Sequence, residues 1–319
     1  MAAMEYMTIW NSKSTATAIA TSTDWEAKMP TVYSCAGNEF HIDSTSSSLD
    51  DGVIQVGEGG YYIASASINN DSTNQGHGSI RQAPGFRFHF FNQNAGFFGT
   101  ALATHTYQRT SGLECGAYLK ELLYLDANMT IQIDCDVNRG NGWQANFDLS
   151  HFRIERMMPA DDEDELHFIK RQSTAGQSLN STVALQWNSA ASHHSGSTSR
   201  YVKGTNVVHS TSSNNTRWYA DVAGLYRVHA HISMDSTIAR DTPVHQFRKN
   251  GSTWGYAIGA MGYIRDASSH DYSSSVVEEI WNLNANDYIE CMNVNRNGGG
   301  TANSSHTFMF MEYLGPKYT

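Results

Sequence analysis

Apolar and polar residues alternate in the same order in two separate stretches of the chain. From Gly60 to Ile68, Tyr62, Ala64, Ala66 and Ile68 alternate with Ile63, Ser65 and Ser67; from Gly224 to Ile232, Tyr226, Val228, Ala230 and Ile232 alternate with Arg227, His229 and His231. A strand sends successive side chains to opposite faces, so each stretch predicts one strand with one apolar face. Tyr62 and Tyr226 are expected at equivalent inward positions, as are Ile68 and Ile232. The glycine that opens each strand permits a turn most residues resist.

The two copies extend beyond these strands. Thr8-Ile9-Trp10 and His167-Phe168-Ile169 stand near the two starts, and a Ser/Thr/Ala stretch leads from each to Trp25 or Trp187. Further on, 86–92 is the loose counterpart of 244–250, and Leu125-Asp126-Ala127-Asn128 matches Leu283-Asn284-Ala285-Asn286. Both then run to Val-Asn-Arg, at 137–139 and 294–296, and each half closes on an aromatic run, Phe152-Arg153-Ile154 or Phe308-Met309-Phe310. A preserved order of elements in 319 residues indicates two domains built on one plan. They are expected at 1–157 and 166–319. The stretch 158–165 between them, with Pro159 and then Asp161, Asp162, Glu163, Asp164 and Glu165, reads as an acidic, solvated linker.

Helical periodicity is weak. Glu121–Leu125 and Glu278–Leu283 come closest to it and read better as strand ends. Short apolar runs separated by Ser, Thr, Asn and Gly predict an all-β sandwich or barrel. Leu-Asx-Ala-Asn is a tight turn, because Asn and Asp bond nearby backbone and tolerate left-handed conformations. It sets Met129, Ile131, Ile133 and Cys135 on one face of the next strand.

Composition narrows the partners. Hydrophobic residues make up 40% of the chain, enough for packed cores, and the net charge is −10, which speaks against a nucleic-acid partner. No apolar run approaches the roughly 20 residues that span a bilayer as a helix, so no membrane partner is expected. The opening Met1-Ala2-Ala3-Met4-Glu5 lacks the basic and apolar regions of a signal peptide, so synthesis in a cytoplasm is expected. Cys35, Cys115, Cys135 and Cys291 are too scattered for a disulfide framework and read as buried thiols, with Cys115–Cys135 the one pair worth testing as a bridge.

Candidate chemistry is sparse. His229 and His231 share a strand face at a spacing that can chelate a metal, but no third ligand is evident and the first copy has Ser65 and Ser67, so surface or subunit-contact histidines are expected and no metal site. Asp134 and Asp136 alternate on one polar face and could suggest paired-carboxylate hydrolysis, yet the second copy offers Asn293 and Asn295 in that stretch. A solvated acidic face is the expectation. No nucleophile elbow, phosphate loop or His-Glu-x-x-His helix is present, so neither enzyme activity nor a cofactor is expected. Of the seven tryptophans, Trp143 and Trp254 lie in turn-rich stretches without a core face and are candidates for a glycan-stacking surface.

Gly-x-Tyr opening a strand, the Asn-rich stretches after it, the Leu-Asx-Ala-Asn turn and the final aromatic strand together resemble the C1q/TNF-like jelly roll, once in each half. The tandem arrangement resembles virion proteins of tailed bacteriophages. The resemblance implies two tandem jelly-roll β-sandwich domains in a non-enzymatic virion structural protein: capsid decoration or cement, or a head or tail fibre. Its partners would be other virion proteins such as the major capsid protein, and copies of itself packed as a homotrimer. A receptor- or glycan-binding module of an attachment spike or fibre is the competing reading, with a carbohydrate-active accessory domain third.

The last strand bears on assembly. Thr307–Leu314 is apolar on both faces, so both are expected to be covered. If Phe308 and Phe310 match Phe152 and Ile154, they point inward, and Met309 and Met311 point outward beside Tyr313. That predicts an oligomer interface at Met309, Met311 and Tyr313, with cover by a loop of the same chain as the alternative.

Overall fold

The structure is a computed structural model that describes residues 6–10, 17–18, 25–26, 31–36, 40–42, 53–70, 83–92, 96–105, 116–139, 144–157, 165–173, 176–191, 198–235, 242–258, 263–264, 272–294, 300–303 and 306–317. They fall into two compact units, one of Met1–Glu163 and the other of Asp164–Ser192 and Gly196–Thr319. The described residues contain no α-helix.

The first unit contains β1 (Tyr6–Trp10), β2 (Thr31–Ala36), β3 (Phe40–Ile42), β4 (Ile54–Val56), β5 (Gly60–Asn70), β6 (Ala83–Asn92), β7 (Gly96–His105), β8 (Gly116–Leu125), β9 (Met129–Arg139) and β10 (Gln144–Arg156). One sheet runs β8-β5-β10-β1-β2 and the other β3-β4-β9-β6-β7. The second unit contains β11 (Phe168–Gln172), β12 (Val207–Val208), β13 (Trp218–Ala220), β14 (Gly224–Asp235), β15 (Val244–Lys249), β16 (Thr253–Ile258), β17 (Tyr272–Leu283), β18 (Tyr288–Val294) and β19 (Phe308–Gly315). Its sheets run β17-β14-β19-β11 and β12-β13-β18-β15-β16, with two-residue strands at the margins. Among the described residues all pairings are antiparallel, and the chain passes repeatedly from one sheet to the other, which is jelly-roll topology in both units.

The alternation read from the sequence sets the inner faces. Tyr62, Ala64, Ala66 and Ile68 are fully buried, as are Tyr226, Val228, Ala230 and Ile232. Phe88 from one sheet meets Phe152 from the other, with ring centroids 5.7 Å apart. The tyrosines are equivalent in detail: Tyr62 donates its hydroxyl hydrogen to the carbonyl of Glu58 and Tyr226 to that of Val222, each at 2.7 Å. The turns match too. Asn128 and Asn286 have φ of 63° and 68°, in the left-handed region, and their amides donate to the carbonyls of Val56 and Ala220. Met129, Ile131 and Ile133 are buried as expected; the side chain of Cys135 lies outside the described residues. Glu121–Leu125 and Glu278–Leu283 are strand ends in β8 and β17. Two carboxylates share an inward register, Glu121 opposite Ala64 and Glu279 opposite Val228. Glu279 accepts from the amide of Tyr256 at 2.9 Å, which occupies a donor on the neighbouring strand β16.

The closing strand corrects the expected register by one residue. Met309 pairs with Ala230 and Met311 with Val228, so both methionines lie fully buried in the core cluster. The inward partners of Phe152 and Ile154 are therefore Met309 and Met311, since Phe152 pairs with Ala66 and Ile154 with Ala64. Phe308 and Phe310 take the outward face opposite His231 and His229, and are buried there. A strand apolar on both faces carries no alternation to fix its register; the ladder to β14 fixes it instead. Tyr313 is not an outward contact either: it packs on the core, with its ring 5.3 Å from that of Tyr226. A Cβ on Gly224 would lie 2.3 Å from Tyr313 Cε2 and 2.6 Å from the Gly315 carbonyl oxygen, so only glycine fits there. The match of 86–92 to 244–250 also moves by one, because Phe88 pairs with Ile133 and Phe247 with Cys291.

Candidate functional site: an arginine and aromatic ledge

Alternation on four neighbouring strands of the second unit builds one outward row. Trp218, Ile289, Cys291 and Phe247 point into the core. Their neighbours Arg217, Tyr219, Tyr288, Glu290 and Arg248 therefore face out. The ladders set Tyr219 opposite Tyr288, Glu290 opposite Arg248, and Arg248 opposite Trp254. Strands spaced by about 4.8 Å carry this row across the sheet.

Glu290 is the centre of the row. Arg248 donates to its Oε2 from Nη2 at 2.8 Å and from Nε at 3.3 Å. Thr216 donates its hydroxyl to Oε1 at 3.2 Å, and Arg217 Nε lies 3.7 Å from the same oxygen. The two guanidiniums also lie over rings: Arg217 is 4.6 Å from the centroid of Tyr288 and Arg248 is 5.7 Å from that of Trp254. A side-chain hydrogen bond with Tyr219 raises the pKa of Arg217. Two arginines around one carboxylate leave the row net positive on a chain of net charge −10.

The hairpin that brings Trp254 to Arg248 turns at Asn250 and Gly251, with φ of 50° and 69°. It is tied to the turn before β18: Asn250 Nδ2 donates to Asp287 Oδ1 at 2.7 Å, Lys249 Nζ donates to Oδ2 at 3.0 Å, and the Tyr288 amide donates to Asn250 Oδ1 at 2.9 Å. Burial raises the Asp287 pKa, but hydrogen bonds from Asn250, Asn284 and Lys249 outweigh it and hold the carboxyl below its usual range.

Trp254 is 40% exposed, and Tyr256, two residues along β16, is 97% exposed. Trp143 lies outside the described residues. Trp187 and Trp218 belong to the core, with Trp281 packed against it. Arg217, Arg248, Tyr288 and Glu290 escaped the sequence reading: each is an unremarkable outward residue until strand pairing sets the four side by side.

The other candidate groups lie elsewhere. His229 and His231 share a face as expected but are fully buried rather than exposed, stacked on Phe310 and Phe308, with His229 Nδ1 3.1 Å from Glu278 Oε2. Among the described residues no three His, Cys, Asp or Glu side chains gather as a metal site would require. Asp134 is buried, not solvated: it accepts from Gln132 at 2.8 Å and meets His89 and Arg87. The side chain of Asp136 and the Cys115–Cys135 pair lie outside the described residues. Cys291 is a buried free thiol whose pKa is pushed up by burial.

No protein-family model and no curated protein matches this sequence. Among solved structures it is similar to murine APRIL, with 9% identity and a TM-score of 0.33 over 49% of this chain and 100% of that one. It is also similar to the Eiger TNF of S. frugiperda, at 13% and 0.34 over 48% and 96%, and to the globular domain of a zebrafish complement 1qA protein, at 8% and 0.33 over 49% and 98%.

Proposed function

We propose that this protein is a non-enzymatic structural component of a bacteriophage particle, a capsid decoration or cement protein or a head or tail fibre, that works through symmetric protein contacts as a homotrimer. Its partners are other copies of itself and virion proteins such as the major capsid protein. The observation that carries the assembly reading is Ile280, 58% exposed on β17 and outside the core cluster of its unit. It stands opposite Arg227, which pairs with Glu312 on the next strand at 3.3 Å. A contact with a second copy would cover this side chain inside a polar, salt-bridged rim. The phage reading rests on the resemblance of the tandem jelly rolls. Quantitative mass spectrometry of purified particles tests it: tens to hundreds of copies per particle indicate decoration, a handful indicate a fibre or spike, and none refutes the virion role.

A second reading, host attachment through a glycan, is favoured by the exposed ring of Trp254 beside Arg248.

A further inference from the structure

We infer that the ledge formed by Arg217, Tyr288, Glu290, Arg248 and Trp254, extended by Tyr256, binds an anionic carbohydrate. This deepens the attachment reading and rests on it. Three features of the row point to such a ligand.

The first is stacking surface. Sugar rings present C–H faces that pack on aromatic planes, and Trp254 and Tyr256 offer two such planes on one strand. Residues i and i+2 of a strand project to the same side about 7 Å apart, so the pair can hold neighbouring units of an extended oligosaccharide.

The second is charge. Arg217 keeps 39% of its side chain exposed although it lies near Glu290. A planar guanidinium fork matches a carboxylate or sulfate with two parallel hydrogen bonds, which a neutral sugar cannot supply. Because the chain as a whole carries −10, this positive row makes the local selection.

The third is preorganisation. Arg248 is fixed by two hydrogen bonds to Glu290, and the hairpin carrying Trp254 is pinned through Asp287. Groups already held in place lose less freedom when a ligand arrives. In the first unit Thr130 and Gln132 stand in the register of Tyr288 and Glu290, and His89 in that of Arg248, so neither the ring nor the Arg248–Glu290 pair recurs there.

Isothermal titration of the full-length protein with defined oligosaccharides tests the inference. One arm uses uronate- or sialate-bearing sugars, a second sulfated sugars, and a third their neutral counterparts. Binding is expected in at least one acidic arm, weakening with added salt. Trp254→Ala and Arg217→Gln are each expected to weaken it about tenfold or more, the loss of one stacked or charge-assisted contact. Trp254 is exposed and Arg217 partly so, and unchanged melting confirms that the variants fold. Equal affinity for neutral and acidic sugars overturns the anionic claim while leaving glycan attachment intact. Acidic-sugar binding that survives both substitutions moves the site elsewhere and also overturns the inference. No binding in any arm overturns both the inference and the attachment reading.

Discussion

The two units share the register of their inward positions and differ most in the residues of their outward faces. On the sheet that contains β5 in one unit and β14 in the other, the outward row Ser65, Ser67, His151 and Arg153 corresponds by register to His229, His231, Phe308 and Phe310. In the first unit these residues are exposed or half-buried; in the second they form a buried stack of rings, and Lys170 lies 4.6 Å from the ring of Phe308. On the opposite sheets, Thr130, Gln132 and His89 of the first unit stand in the register of Tyr288, Glu290 and Arg248 of the second. A core tolerates few changes of volume or polarity, so inward positions remain recognisable after duplication. Outward positions answer only to what touches them, and there rings stand in the second unit where Ser65, Ser67 and Arg153 stand in the first.

The register correction at β19 gives the largest expected effect. Met311→Glu would put a carboxylate into the core of the second unit, a penalty of about 3–5 kcal/mol or more. The second unit should lose cooperative melting while the first still melts. A variant that folds normally but loses self-association would restore Met311 to the outside and break the comparison.

An intermediate effect separates the cores. Phe86 and His245 occupy one register, opposite Cys135 and Asn293. Burial lowers the His245 pKa to about 3, and neither ring nitrogen has a hydrogen-bond partner among the described residues. His209 is lowered to about 4, chiefly by burial and also by Arg171, against a raising hydrogen bond to Asn215. A histidine depressed in the folded state takes up protons first in the unfolded chain. Its contribution is therefore fully present above pH 6.5 and is lost as the pH falls toward 4 and 3. The second unit should thus lose melting temperature between pH 7 and pH 4. His245→Phe, which installs the first unit's residue, should flatten that slope and add about 1 kcal/mol at neutral pH. An unchanged slope would remove His245 from the account.

The smallest effect tests what the units share. Asn128→Ala and Asn286→Ala each force a less tolerant residue into the left-handed region, at about 1 kcal/mol apiece. The two losses should agree, as read from the melting of the respective units; a large inequality would mean that the turns are not equivalent.

These residues also show what was legible in advance. Period-two alternation around Tyr62 and Tyr226 and the Asn turns carried the sandwich fold, because a buried face must alternate and a left-handed turn selects its residues. Alternation was silent at 308–311, where both faces are apolar, and there the expected register failed. Trp254 could be picked out as an exposed ring among turn residues. Its companions could not, because Arg217, Glu290 and Arg248 are brought together by antiparallel pairing between strands distant in sequence.

The central claim is that the second unit's outward surface joins copies of the chain. Light scattering of the purified full-length protein at micromolar concentration tests it most directly. The account predicts the mass of three chains for the wild type and of one for Ile280→Glu, with unchanged melting. A wild type that stays monomeric, or a trimer indifferent to Ile280→Glu, would contradict it.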